Sequence, residues 1–148
     1  MNEFKPFEDK LAGLIAALSP ASRRHMAVEI AKKLRQRQQQ RIKSQKSPDG
    51  TPYAPRKRQP IKAKKGRIKR EMFTKLRTNR FMKAKGDDSA AVVEFTSKVQ
   101  RIARVHHYGL KDKPGRNSVA VEYPKRPLMG FNSEDYKVIE KIITEVLS

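Results

Sequence analysis

The stretch "RFMKAKGDDSAAVVEFTS", residues 80–97, decides the fold class. Two short runs suited to extended backbone flank "GDDS", whose aspartates favour a tight connection, so the spacing predicts two strands joined by a short turn. Ala91, Val93 and Phe95 fall on one face of the second strand and Val92, Glu94 and Thr96 on the other, because successive side chains of a strand point to opposite sides.

Helices are expected on both sides of this hairpin. Phe7, Leu11, Leu14, Ile15 and Leu18 recur at helical spacing and predict an amphipathic helix from about Pro6 to Leu18. Ser19 then reads as an N-cap and Pro20 as the first residue of a second helix. Its apolar line is Met26, Ile30, Leu34 and Ile42, while "RQRQQQR", residues 35–41, has nothing evident to bury and is expected to project into solvent or onto a partner. Beyond the hairpin, "KVQRIARVHHYG" places Val99, Ile102, Ala103 and His106 on one helical face with Gly109 to end it. "SVAVEYP" alternates as a further strand, and "REMFTKLR" suggests a short helix around Met72, Phe73 and Leu76. Ser133 is read as the cap of a last helix, with Glu134 and Asp135 complementing its dipole and Ile139, Ile142, Ile143, Val146 and Leu147 as its core stripe. The fold class is α+β: a small antiparallel sheet packed with N-terminal and C-terminal helices, in a single domain over residues 1–148.

Between the second helix and the hairpin lies "SPDGTPYAPRKRQP", residues 47–60. Pro48, Pro52, Pro55 and Pro60 each remove a backbone donor and push the preceding residue out of the helical region, and Asp49-Gly50 is a turn pair. Residues 47–70 are therefore expected to form a long, basic, proline-containing loop or arm. The charge there is extreme even for this chain, whose 35 Lys and Arg against 15 Asp and Glu give a formal net charge of +20. Such a balance speaks about partners: phosphate backbones, acidic protein surfaces and anionic membranes all attract it.

Catalytic chemistry finds little support. Neighbouring His106 and His107 point about 100° apart on a helix and do not easily share a metal, and Asp87-Asp88 suit a hairpin turn for backbone reasons. Absence of cysteine removes disulfides, thiol catalysis and thiolate metal sites, and no phosphate-binding glycine motif occurs. No catalytic, cofactor-binding or metal-binding residue is assigned. The N-terminus has the wrong charge order for a secretory signal and no apolar run approaches the length of a membrane span, so a soluble cytoplasmic protein without membrane contact is expected. On residues alone, a nucleic-acid-binding module and a protein-binding surface stay open, with a nuclease a distant third whose test would be cleavage dependent on His106 and His107.

"SPDGTPYAPRK" after a long polar helix, then "MFTKL", "IARVHHYGL" and "YPKRPLMGFNSEDYKVI" leading into the last helix, resembles the phage virion morphogenesis family in order and spacing from about Ser47 to the C-terminus. The resemblance implies a structural protein, not an enzyme, acting in tail completion and head-tail joining. It implies phage tail and neck proteins as partners, a homo-oligomeric ring with six subunits as the expected number, and a place in the virion after assembly in the host cytoplasm. The expected partner-binding residues are Tyr53 as a rigid aromatic anchor, the basic run Arg56, Lys57, Arg58, Lys62, Lys64, Lys65 and Arg67 facing an acidic neighbour or DNA, and Tyr108 and Arg126, the latter offering a fork to a carboxylate. Val105, Tyr108, Leu128 and Phe131 are expected to pack, and "KDKPGRNS", residues 111–118, to be mobile.

Overall fold

A computed structural model describes residues 5–56 and 71–148. The elements are α1 (Lys5–Ala16), α2 (Pro20–Lys43), β1 (Met82–Gly86), β2 (Ala91–Phe95), α3 (Gln100–Tyr108), β3 (Lys111–Asp112), β4 (Val121–Glu122) and α4 (Ser133–Leu147). The described residues form an α+β arrangement with two two-stranded sheets, β1 with β2 and β3 with β4. Contacts divide it into two compact units, one of Met1–Gln36, Lys83–Glu94 and Asn132–Ser148, the other of Arg37–Met82 and Phe95–Phe131.

The first unit is built on the apolar stripes read from periodicity. Met26, Ile30 and Leu34 of α2 and Ile143 of α4 are buried together, flanked by Ile15, Leu18, Ile139, Ile142, Val146 and Leu147, and the β2 residues Ala91 and Val93 close the cluster. Val92, on the opposite face of β2, is exposed as strand alternation requires. Ser19 Oγ accepts from the Ser22 amide at 3.2 Å, the N-cap bond that starts α2 behind Pro20. At Gly86 a Cβ would lie 2.5 Å from the backbone nitrogen of Val28, so only glycine lets β1 end against α2 this closely. In the turn, Asp87 Oδ1 accepts from the Ser89 and Ala90 amides at 2.7 and 2.8 Å, which holds its carboxyl below the usual range and gives it a backbone role.

Two expectations in this unit are corrected. Leu14 is 45 % exposed, since Ile15 and Leu18 carry the packing at the end of α1. The cap of α4 is Asn132, not Ser133: its side chain accepts from the Asp135 amide, while Asp135 Oδ2 accepts from the Asn132 amide, each at 2.9 Å. That reciprocal box satisfies two orphan donors at once and leaves Asp135 fully buried.

The second unit has its own core, including Ile42, Tyr53, Leu76, Met82, Phe95, Val99, Ala103, Val105 and Leu128. The last turns of α2 belong to it, and here the reading of "RQRQQQR" as a projecting segment fails. Gln38 is buried and donates to Gly130 O at 2.6 Å; Arg41 bonds Gln38 Oε1 at 2.9 Å and the same carbonyl at 3.1 Å; Gln39 donates to Asn79 Oδ1 at 2.6 Å. Polar residues bury themselves at this end by satisfying carbonyls, not by matching an apolar period. "MFTKL" is one hydrogen-bonded turn, Arg77 N to Phe73 O, with Phe73 in the left-handed region at φ 67°. In α3, Ala103 and Val105 are buried and Ile102 is half exposed, and Gly109, at φ 68°, ends the helix with its amide on Val105 O. "KDKPGRNS" is ordered at its start, where Lys111 and Asp112 form β3 against a β4 that is only two residues of "SVAVEYP". Phe131 is 59 % exposed, whereas Leu128 is buried as expected.

Candidate partner-binding site

The motif "SPDGTPYAP" folds as a compact loop from local bonds. Gly50 N donates to Ser47 O and Ser47 N to Thr51 O, both at 2.9 Å, and Lys46 pairs with Pro52 across the neck. Asp49 accepts from the Ser47 hydroxyl and, at 2.9 Å, from the Thr51 amide. These bonds, the Ser47 hydroxyl first, lower its pKa to about 2, so the carboxylate form organises the turn.

Pro52, which follows, leads the chain to Tyr53, which is buried. Its amide donates to Gln45 O at 2.8 Å and its hydroxyl to Pro127 O at 2.8 Å, and burial raises the phenol to about 12. From the other side Arg126, 5 % exposed, donates through Nε to Ala54 O at 2.9 Å and through Nη2 to Pro55 O at 3.1 Å. Burial and the nearby Arg56 lower the guanidinium pKa, but a guanidinium stays charged in any folded protein, so both are charge-assisted bonds. "DGTPYAP" and "YPKRPL" therefore latch reciprocally: Tyr53 reaches a carbonyl of the second motif, and Arg126 reaches two carbonyls of the first.

The histidine pair fixes the second motif. His107 Nδ1 accepts from the Leu128 amide at 3.0 Å, with a longer contact to the Met129 amide at 3.4 Å, and the Arg126 amide donates to His106 O at 2.8 Å. His106 stands edge-on to Phe73 at 5.0 Å and to Tyr123 at 4.8 Å, and Phe73 meets Tyr53 at 5.8 Å. Four rings thus run in series behind the latch. Burial, then Arg126 for His106 and Lys125 for His107, lowers both imidazole pKa values, so the neutral forms dominate at neutral pH.

The expected partner-binding residues separate accordingly. Arg126 forks onto backbone carbonyls, not a carboxylate, because the extended "YPKRP" backbone carries it beneath the loop. Tyr53 is turned inward by the same latch. Arg56 and Tyr108 are exposed, Tyr108 at 59 % and edge-on to His107 at 4.6 Å. Lys57, Arg58, Lys62, Lys64, Lys65 and Arg67 lie outside the described residues. Gln45 is a residue that sequence reasoning misses: in the left-handed region at φ 57°, it donates to Met72 O and accepts from Met72 N, each at 2.9 Å. No hydrophobic period marks such a residue. Among the described residues no cluster of three or more His, Cys, Asp or Glu is placed to hold a metal, and no helix is long and apolar enough to cross a membrane.

Comparison with known proteins matches residues 2–148 to the model of the phage virion morphogenesis family. The chain is 51 % identical over 144 residues to tail completion protein S of Escherichia phage P2, covering 97 % of this chain and 96 % of that protein. No solved structure matches it. With the family model spanning nearly the whole length, and with the latched motifs being those that carried the resemblance, the chain belongs to the phage virion morphogenesis family.

Proposed function

We propose that this protein is a structural component of phage assembly that completes the tail and prepares it for joining to a filled head, acting through protein contacts and not through catalysis. The observation that carries the reading is the end-to-end likeness to a tail completion protein. The latch agrees with it, because it organises a protein surface around groups already engaged with one another. Its partners are phage tail and neck proteins and further copies of itself, arranged as a ring of six, and its place is the virion after assembly in the host cytoplasm. In this reading residues 1–148 act as one domain. Tyr53 and Arg126 position the loop, while Arg56 and Tyr108, with the basic run from Lys57 to Arg67, meet the neighbours.

Deleting the gene from its phage or prophage tests this. Filled heads and separate tails that do not unite, seen by electron microscopy and restored by the gene in trans, are the expected result; normal virions from the deletion would overturn it. A second reading, non-specific nucleic-acid binding, is favoured by the net charge of +20. Duplex DNA bound tightly at physiological salt, with affinity falling steeply as salt rises, would support that reading, whereas binding already lost near physiological salt is simple polyelectrolyte attraction.

A further inference from the structure

Behind the latch the second unit carries a cleft of about 460 Å³ whose space none of the bonds above fills. Its lining includes three rings in series, Phe73, His106 and Tyr123, together with Met72, Val121 and Pro124. The size falls within the roughly 300–1,000 Å³ common to ligand clefts. Phe73 lines the cleft from a left-handed backbone at φ 67°, a conformation uncommon for a bulky side chain and kept only where its surroundings hold it.

One wall is the strand β4. Its register pairs Asp112 with Val121 and Lys111 with Glu122, and the Tyr123 amide donates to Leu110 O at 3.1 Å. In an antiparallel ladder, residues alternate between facing the partner strand and facing away. With the backbone groups of Val121 and Tyr123 directed at the β3 side, the N–H and C=O of Glu122 point outward. Among the described residues β4 belongs to a two-stranded sheet and no hydrogen bond reaches this outer edge. Glu71 and Glu122 also line the cleft, and neither is ion-paired among the described residues of a chain that is otherwise strongly basic. Arg56 and Arg126 line the cleft as well, and the Arg126 guanidinium is already held by Ala54 O and Pro55 O.

We propose that this cleft docks an extended segment of another protein, which pairs with the outer edge of β4 at Glu122 and lowers one apolar side chain onto Phe73, His106 and Tyr123. The outer edge supplies backbone bonds and the three rings of the lining supply side-chain selection, the division of labour of strand addition. Glu71 and Glu122 favour a Lys or Arg beside the apolar anchor. That preference is diagnostic: attraction to a protein of charge +20 selects acidic peptides, so a basic peptide that binds does so through a local site.

The inference goes beyond the tail-completion reading and does not rest on it, since peptide binding and gene complementation fail separately. The test is selection of random seven-residue peptides on the full chain at physiological salt, followed by anisotropy titration of synthetic copies. The expected consensus is an apolar residue adjacent to Lys or Arg, with affinity weakened about tenfold by Thr74→Trp, which fills the cleft, at unchanged circular dichroism. Methylating the peptide amides one at a time tests the edge without altering the protein: alternate positions abolish binding and the others are tolerated. The proposal is overturned by an acidic consensus, by tolerance of methylation at every position, or by no peptide binding tighter than about 1 mM. It is equally overturned by binding that appears only when residues 57–70 are replaced with a glycine-serine linker, because the occupant would then be the chain itself.

Discussion

Replacing Arg126 with alanine tests the latch most directly. The side chain is 5 % exposed and makes two charge-assisted bonds to carbonyls, at 2.9 and 3.1 Å. Bonds of this kind contribute about 1.5–3 kcal/mol each. Two offsets apply. Pro55 is exposed, so water replaces the lost donor at its carbonyl, and the mutation relieves both the desolvation of the guanidinium and its repulsion by Arg56. A net loss of about 2 kcal/mol remains, equivalent to roughly a 30-fold rise in the opening of the loop. Tyr53→Phe keeps the ring and its edge contact with Phe73 and removes one neutral bond of 2.8 Å, a loss of about 1 kcal/mol or roughly fivefold.

Hydrogen exchange is the suitable assay, because the two units need not unfold together and a local readout avoids assuming a single transition. The Tyr53 amide, bonded to Gln45 O, reports the loop, and the Gly86 region reports the other unit. The expected order of acceleration at Tyr53 is Arg126→Ala, then Tyr53→Phe, then wild type, with Gly86 unaffected. Arg126→Lys is expected to resemble alanine more than arginine, since an ammonium has no fork to span two carbonyls. Equal exchange at Tyr53 in wild type and Arg126→Ala would refute the claim that the latch holds the loop.

The histidines, the α4 cap and Gly86 each give a further expected outcome. His106 and His107 titrate below their unfolded value near 6.5, so the unfolded chain takes up protons first; stability is full above about pH 6.5 and falls as pH drops through the lowered folded values. Urea midpoints measured from pH 7.5 to about 5 read this loss apart from the Asp49 carboxyl, which titrates near 2, and His106→Phe should flatten the slope. Asn132→Ala is expected to lower stability by about 1 kcal/mol and Ser133→Ala by a few tenths at most, a difference that thermal melts resolve. Gly86→Ala drives a Cβ into the α2 backbone and should cost more than about 2 kcal/mol, read as a lower melting temperature or as loss of soluble protein.

The parts of the fold legible in the sequence are those that burial writes as a period. Ile139, Ile142, Ile143, Val146 and Leu147 declare the α4 stripe, and Ala91 and Val93 declare the buried face of β2, because a helix or strand packed on one side must repeat its apolar residues. Gln38 and Gln45 leave no such trace, since single bonds to Gly130 and Met72, far along the chain, hold them in place. Arg126 is recognisable as a fork, but nothing local says whether a fork will meet a carboxylate or two backbone carbonyls. Asn132 and Ser133 both suit an N-cap, and only the Asp135 bond decides between them. Ile102 and Phe131 show the converse error, apolar residues expected to be buried that the short elements around them turn outward.

The two groups of bonds in the second unit act on one segment. Arg126 grips the carbonyls of Ala54 and Pro55, shortly before residues 57–70, and Gln45 grips the amide and carbonyl of Met72, shortly after them. Both stems of the most basic stretch are thus fixed by residues outside it. A charged segment anchored at both ends loses less conformational freedom on meeting a partner than one hanging from a single point, because part of the ordering is already complete. The chemistry of the stems then need not be the chemistry of contact: Tyr53 and Arg126 hold the stem before residues 57–70 and Gln45 the stem after them, and contact with the neighbour is the role proposed above for the cations. On this view Arg126→Ala should weaken assembly in proportion to loop opening with the net charge changed by only one, whereas Arg56→Glu should weaken it with the loop still closed. Comparing the two variants by hydrogen exchange and by gene complementation separates positioning from contact, and equal complementation by both would remove Arg56 from the assembly contact.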